Sequence, residues 1–159
     1  MISHPIPPVF DERSEVLILG SFPSVKSREE GFFYGHPQNR FWKVLSAVFD
    51  ECEPRAVEEK KQFLLRHRIA LWDVIASCEI TGSSDSSIKN VIPNDISALL
   101  SHTPITRIFV NGKTAEKYYR KYIRPSVGTD AILLPSTSPA NAAWSLERLI
   151  REWRAILPC

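Results

Sequence analysis

The sequence has few of the residues that mark secreted, metal-binding or membrane proteins. Its three cysteines, Cys52, Cys78 and Cys159, are scattered and show no Cys-x-x-Cys spacing. Neither a disulfide framework nor a zinc site is therefore expected. No apolar run is long enough to cross a membrane, and the N-terminal residues lack the charged start and apolar stretch of a signal peptide. We expect a cytoplasmic protein that does not bind membranes.

The charge balance excludes little. A net charge of +2 on 159 residues, with 43% hydrophobic and 24% charged residues, is typical of an ordinary globular protein. This weak positive charge permits nucleic-acid binding without arguing for it. The length predicts one domain, residues 1–159, that is large enough to bury a core.

Strand-like and helix-like patterns alternate along the chain. The predicted strands are residues 15–19, 69–75, 105–110 and 131–134. The predicted helices are residues 41–49, 54–66, 95–100, 114–123 and 146–157. Helical crossovers between successive strands favour a parallel sheet with helices on both faces. The predicted fold class is α/β, a single three-layer α/β/α domain with a central four-stranded parallel sheet.

Two long segments are predicted as loops. Residues 77–87 are rich in Ser, Gly and Asp, which indicates a loop outside the core. Residues 20–38 are polar and aromatic and include Phe32, Phe33 and Tyr34 in succession. Because a surface loop exposes some of its residues, these aromatics cannot all face a core. Either the two phenylalanines pack under the loop with Tyr34 at a cleft, or one ring stacks on a planar ligand.

Two strand-end segments carry most of the functional information. Residues 20–24, Gly-Ser-Phe-Pro-Ser, follow the first strand, and residues 134–141, Leu-Pro-Ser-Thr-Ser-Pro-Ala-Asn, follow the last. Glycine and serine let the backbone approach a ligand closely, and proline fixes φ. Ligands of parallel α/β sheets bind at the carboxyl ends of the strands. The residues expected to share one cleft there are Ser21, Asp73, Asn111 and Ser136.

Several familiar catalytic motifs are incomplete. Residues 112–114, Gly-Lys-Thr, end like a phosphate-binding loop, but Arg107 stands where its first glycine should be. No His-Glu-x-x-His motif occurs and the four histidines are far apart, so no metal site is expected. The Gly-x-Ser-x-Gly elbow is also absent. Ser21 with His36 as its base remains an alternative for a serine hydrolase.

Taken together, the motifs resemble the uracil-DNA glycosylase superfamily. The resemblance rests on residues 20–24, residues 35–42 (Gly-His-Pro-Gln-Asn-Arg-Phe-Trp) and residues 134–140, and it extends through residues 71–74 and 109–115. It covers nearly the whole chain, and the joint occurrence of these motifs is specific. Within the superfamily, the hypoxanthine-DNA glycosylase branch is the most similar.

This resemblance implies a monofunctional base-excision repair enzyme without a metal or organic cofactor. Such an enzyme flips a deaminated base out of DNA and hydrolyses its N-glycosidic bond. The implied partner is DNA containing deaminated bases, bound by a monomer that associates with the nucleoid during repair. Hypoxanthine is the implied base. A uracil- or mismatch-specific glycosylase and a catalytically silent DNA-binding module are the alternatives, besides a serine hydrolase.

Two positions depart from the family pattern. Related branches have Asn or Asp where this chain has Phe22, and uracil-specific enzymes have His where this chain has Leu134. The resemblance therefore assigns the catalytic role to Asn39. The residues implied to bind the base and sugar are Ser21, Phe22, Tyr34, Trp72, Asp73 and Asn111. Those implied to bind DNA are Ser24, Lys113, Ser136, Thr137, Ser138 and Asn141.

Overall fold

A computed structural model describes residues 1–158. Its strands are β1 (Ile2–Ser3), β2 (Val16–Gly20), β3 (Ile69–Asp73), β4 (Ile75–Glu79), β5 (Lys89–Pro93), β6 (Arg107–Asn111) and β7 (Ile132–Leu134). Its α-helices are α1 (Val25–Glu30), α2 (Phe41–Val48), α3 (Val57–Arg66), α4 (Ile96–Ser101), α5 (Lys113–Tyr118), α6 (Arg124–Val127) and α7 (Leu146–Trp153). A π-helical segment, Tyr119–Ile123, joins α5 to α6.

The central sheet has four parallel strands in the order β3-β2-β6-β7, which confirms the predicted parallel sheet. Side chains of β2 alternate between two apolar clusters. Val16 and Ile18 face the cluster formed with α2, α3 and α7, whereas Leu17 and Leu19 face the cluster formed with α4 and α5. Both faces of the sheet are therefore covered, and the central strand is a continuous apolar run.

A second sheet was not predicted. The apolar run at residues 69–75 is not one strand, because β3 ends at Asp73 and the chain turns at Val74. The backbone N–H of Val74 donates to the Gly20 carbonyl, at 2.8 Å. Strand β4 then pairs antiparallel with β1 and β5. The prediction that residues 77–87 lie outside the core is wrong at its start, since Cys78 is fully buried.

The segment predicted as a loop at residues 20–38 contains α1. Ser24 caps this helix by accepting from the Ser27 N–H, and Gly31 ends it with a left-handed φ of 74°. Phe32 and Phe33 pack beneath the following turn as buried core residues. The two phenylalanines therefore pack as in the first predicted arrangement, and Tyr34 is left at the cleft.

The N-terminal segment runs antiparallel alongside β4 and β3. The His4 N–H donates to the Ala76 carbonyl at 2.7 Å, and Val9 exchanges two backbone hydrogen bonds with Leu71. Helix α3 begins at Val57 and not at the predicted Pro54. Within residues 1–158, no helix combines the length and apolar character that a membrane crossing requires.

Candidate active site

A cleft of about 470 Å³ lies at the carboxyl edge of the parallel sheet. The ends of β2, β3 and β6 form its floor, and the loops after β4 and β7 form its rim. The predicted site residues that line it are Ser21, Phe22, Ser24, Tyr34, Asn39, Asp73, Asn111, Ser136, Thr137 and Ser138. The shared edge expected from the strand order therefore brings most of the predicted residues together.

Asn111 ties the floor of the cleft to its rim. Its Nδ2 donates to Tyr34 Oη at 3.2 Å and to Thr137 Oγ1 at 3.0 Å, and its Oδ1 accepts from the Thr137 N–H at 3.1 Å. The amide thus uses both of its N–H groups on protein partners, and its oxygen keeps one lone pair. Asn111 holds Tyr34 and Thr137 in place, and its N–H donors are already occupied before any ligand enters.

Tyr34 forms a rigid aromatic wall. Its ring stacks on Phe41 with centroids 4.0 Å apart and planes 14° apart, and Phe41 packs edge-on against Trp42 and Trp153. Tyr34 also has a left-handed φ of 54°, a strained conformation that clusters at functional sites. Burial raises the pKa of its phenol well above the usual value, with a further contribution from the charge of Asp73. The hydroxyl is therefore neutral.

Asp73 is a buried carboxylate on the cleft floor. Its Oδ2 accepts from His4 Nε2 at 2.8 Å. Its Oδ1 lies over Gly20, where an ideal Cβ would be 2.4 Å from that oxygen and 2.8 Å from Tyr34 Oη. Only glycine leaves room for both oxygens at the end of β2. The sequence placed Asp73 correctly at the cleft, but it gave no indication of the His4 partner.

Asn39 lies beside the cleft just before α2. Its Oδ1 accepts from the Phe41 N–H at 2.9 Å, a local backbone bond at the start of the helix. An amide oxygen has two lone pairs, so one acceptor site remains for water. The structure thus brings Asn39 to the cleft and also shows a structural role for part of its side chain.

The loop after β7, residues 136–144, is held by Arg40. The guanidinium donates to the backbone carbonyls of Ser138 at 3.3 Å and Asn141 at 3.1 Å, and also to that of Trp144. Thr137 is fully buried, and its side chain fixes this loop by bonding to Asn111. The side chain is therefore not accessible to DNA, contrary to the predicted DNA contact. Asn141 does not line the cleft; its Nδ2 donates to the Ser136 carbonyl within the loop.

Trp72, predicted to line the base pocket, does not line the cleft; Lys113 does not line it either, and its predicted contact with DNA stays a prediction. Trp72 packs between the two apolar clusters, and its Nε1 is buried without an acceptor in residues 1–158. Strand β3 is covered on both faces by the apolar clusters, and Trp72 takes part in that packing instead of lining the cleft. Lys113 is exposed at the first position of α5.

The loop after β4 supplies rim residues that the sequence did not single out. Ser83, Ser84, Asp85 and Ser86 line the cleft. Ser21 Oγ donates to Asp85 Oδ1 at a long 3.5 Å, whereas a serine hydrolase would need it bonded to a histidine base. The feature of the sequence that could have indicated these rim residues is the run of serines around Asp85. In the part of the chain that is described, no three His, Cys, Asp or Glu side chains converge as metal ligands.

Comparison with known proteins places this geometry in context. The sequence model of the family described as Uracil DNA glycosylase superfamily matches residues 7–157. A hypoxanthine DNA glycosylase from Methanosarcina acetivorans is 37% identical over 158 residues, 98% of each chain. A protein of the same name from Methanosarcina barkeri is 35% identical over 137 residues, 85% of each chain. A solution NMR structure of a candidate uracil DNA glycosylase from M. acetivorans matches with a TM-score of 0.83 at 37% identity, covering 98% of this chain and 96% of that one.

Proposed function

The chain belongs to the uracil DNA glycosylase superfamily, and we propose that it removes hypoxanthine from DNA by hydrolysing the N-glycosidic bond of deoxyinosine. The membership confirms the resemblance inferred from the sequence motifs. The choice of hypoxanthine is supported by the two relatives of that name, which align with most of the chain. The single observation that carries the chemistry is a cleft lined together by the Tyr34 ring, the Asp73 carboxylate and the Asn39 carboxamide.

The cleft suits the edge that deamination creates on a base. Deamination turns a ring-nitrogen acceptor into an N–H donor beside a new carbonyl, so hypoxanthine carries an N–H where adenine carries a lone pair. Asp73 Oδ1 accepts that N–H, and its negative charge repels the adenine lone pair. Tyr34, backed by Phe41, stacks on the flipped base. This proposal makes the carboxylate the group that separates a deaminated base from its parent.

The hydrolytic step depends on Asn39. Breaking the bond builds positive charge on the sugar and negative charge on the departing base, as in other reactions with oxocarbenium-like transition states. Asn39 Oδ1 holds the attacking water with its remaining lone pair, and its Nδ2 contacts the base or sugar. One preorganised donor is worth about 3–4 kcal/mol in such a site. Phe22, at the position where related branches have a polar residue, excludes bulk water.

The exposed rim fits a DNA backbone. The Ser136 and Ser138 hydroxyl oxygens accept from backbone N–H groups of the same loop, at 3.1 and 3.2 Å, so their own protons are available for phosphate oxygens. Pro139 and Ala140 are exposed and fill the space that the flipped base leaves. No lysine lies at the cleft to form a Schiff base, so the DNA strand stays intact. We place the enzyme in the cytoplasm as a monomer that associates with the nucleoid.

An incision assay tests this function. Duplexes and single strands that contain one hypoxanthine, uracil or xanthine are treated with the protein and then with alkali, which cleaves abasic sites. We expect the hypoxanthine duplex to be cleaved fastest. Cleavage before the alkali step would contradict a monofunctional enzyme. If none of these bases is released, the proposed function is wrong.

Substitution of Asn39 tests the assigned chemistry. Asn39→Ala is expected to lower the single-turnover rate about 100- to 1,000-fold, the usual cost of losing one preorganised group. Asn39→Asp is the matched control, because it keeps an oxygen for the Phe41 N–H and for water. Equal rates for Asn39→Ala and the wild type would refute the assignment. Ser21→Ala should only weaken activity; its complete loss would favour a serine hydrolase.

A further inference from the structure

His4 is buried behind the wall of the cleft. Its side chain is 3% exposed, and that of Asp73, which it contacts at 2.8 Å, is 5% exposed. The histidine ring also packs edge-on against Phe22, at 5.9 Å between centroids, and at a tilt of 49° against Phe33, at 6.0 Å. All three neighbours line the cleft, whereas His4 does not. His4 can therefore act on a ligand only through them.

The hydrogen bonds of His4 define its tautomer. The Ile6 N–H donates to Nδ1 at 3.2 Å, so Nδ1 carries no proton. Nε2 then carries the proton of the neutral ring and donates it to Asp73 Oδ2. A neutral donor satisfies one carboxylate oxygen without cancelling the negative charge. The other oxygen, Oδ1, stays over Gly20 on the cleft side.

The backbone fixes the histidine as firmly as its ring nitrogens do. The His4 N–H bonds to the Ala76 carbonyl, and β1 pairs with β4 just before it. The ring therefore reaches Asp73 from an N-terminal segment that is paired with β4 and β3. Such outer partners commonly orient the group that contacts the ligand, and losing them costs function without touching the ligand itself.

We propose that His4 is a positioning residue for base recognition, which fixes the Asp73 carboxylate so that Oδ1 accepts the ring N–H of a flipped deaminated base. The proposal rests on the proposed glycosylase function. Without the His4 donor, the carboxylate would be free to rotate, and Oδ1 would lose its fixed direction. The role belongs to selection of the base and not to the attack of water.

Two substitutions that differ by one methylene separate the roles of the two ring nitrogens. His4→Gln places an amide N–H near the former Nε2 and can still donate to Asp73. His4→Asn keeps an oxygen near the former Nδ1 for the Ile6 N–H but cannot reach Asp73. We expect His4→Asn to lower the single-turnover rate roughly 10- to 100-fold, as for loss of a hydrogen bond to a charged group, and His4→Gln to restore most of it.

A double-variant comparison distinguishes positioning from general support of the fold. In Asp73→Asn, the fixed His4 donor holds the amide oxygen, which turns the amide NH₂ towards the N–H of the base. Adding His4→Asn then removes nothing useful, so the rate should stay equal or rise. A structural role would lower the rate by the same factor in both backgrounds. That equal fall, or His4→Gln as slow as His4→Asn, would overturn the proposal.

The wild-type protein, assayed on the hypoxanthine, uracil and xanthine substrates, distinguishes a failure of the proposed function from a failure of the proposed role of His4. If it releases uracil or xanthine but not hypoxanthine, the choice of base is wrong, and the His4 comparison is made on the base that is released. Nitrogen NMR of histidine-labelled protein needs no activity at all. A protonated Nε2 with an unprotonated Nδ1 at His4 supports the proposal, and the opposite tautomer or a doubly protonated ring refutes it.

Discussion

The two loops at the rim of the cleft are attached to the protein in different ways. The loop at residues 136–144, the clamped loop, accepts from the Arg40 guanidinium through three backbone carbonyls and bonds to the Asn111 amide through Thr137. The loop at residues 81–87, the serine loop, bonds mainly within itself, contacts α1 through Arg28 and Val25, and meets Ser21 only through the long bond to Asp85. Arg40 is next to Asn39 in the chain. The position of the clamped loop is therefore coupled to the catalytic residue more directly than that of the serine loop.

A pair of glycines gives the strongest test of this contrast. Gly112 and Gly82 both have a positive φ, and Gly112, with φ 95° and ψ 166°, lies in a region almost confined to glycine, so replacement by alanine strains both positions and strains Gly112 more. A Cβ at Gly112 would lie 3.0 Å from Ser136 Cβ in the clamped loop, whereas a Cβ at Gly82 meets nothing within 4 Å. We expect Gly112→Ala to slow excision about 100-fold, because small displacements in a catalytic site are costly. Gly82→Ala should fold and excise nearly normally.

Single-turnover rates and melting temperatures measure the two effects separately. Similar losses of rate in Gly112→Ala and Gly82→Ala would show that the two loops are equally coupled to catalysis. The clamped loop and the serine loop would then not differ in their effect on excision.

Substitution of two arginines, one at each loop, is expected to change the excision rate less than Gly112→Ala does. Lysine cannot reproduce the forked donors with which Arg40 bonds three carbonyls of the clamped loop. We expect Arg40→Lys to slow excision from duplex about tenfold, with a smaller effect on single strands, where no base pair must be opened. Arg28→Lys is the matched control on the serine loop, since lysine can still donate to the Gly82 carbonyl. A larger loss in Arg28→Lys than in Arg40→Lys would contradict the comparison.

The smallest effect concerns charge in the serine loop. Burial raises the pKa of the Asp85 carboxyl, the nearby Asp73 charge raises it further, and hydrogen bonds from Thr114 and Ser21 oppose the shift. As the pH falls through this raised pKa, Asp85 loses its negative charge and repels phosphate less. DNA affinity should therefore rise. Asp85→Asn should bind DNA about fivefold more tightly above that pKa, an estimate from one charge near the surface.

Fluorescence anisotropy with labelled duplex, across a pH series, checks this expectation. The affinities of Asp85→Asn and the wild type should converge at low pH. A constant ratio between them would show that Asp85 does not titrate near the bound DNA.

The parallel sheet and the location of the cleft could be predicted because both follow from local patterns. Apolar strands alternating with amphipathic helices define the sheet, and its carboxyl edge gathers residues such as Asn111 and Ser136. The second sheet could not be predicted, because residues 69–75 are apolar except for Asp73 and the turn at Val74 has no glycine or proline. A buried run carries no periodicity that shows where one strand ends and the next begins.

The partners of the site residues were harder to predict than the residues themselves. His4 meets Asp73 across 69 positions, and Arg40 meets the clamped loop across about 100. Such contacts depend on tertiary packing and leave no local sequence pattern. Trp72 was misplaced for a related reason, because a strand covered on both faces gives no polar alternation to show which side faces a ligand.

The order of the central strands also has a consequence for synthesis on the ribosome. Strand β2 emerges early, but its two neighbours are β3 and β6, which begin at residues 69 and 107. The N-terminal segment likewise waits for β4 before it can pair. The nascent chain must therefore keep β2 unpaired until β3 has been made, and one edge of β2 unpaired until β6 follows. This makes early shielding of β2, by a chaperone or by transient helices, a condition for efficient production.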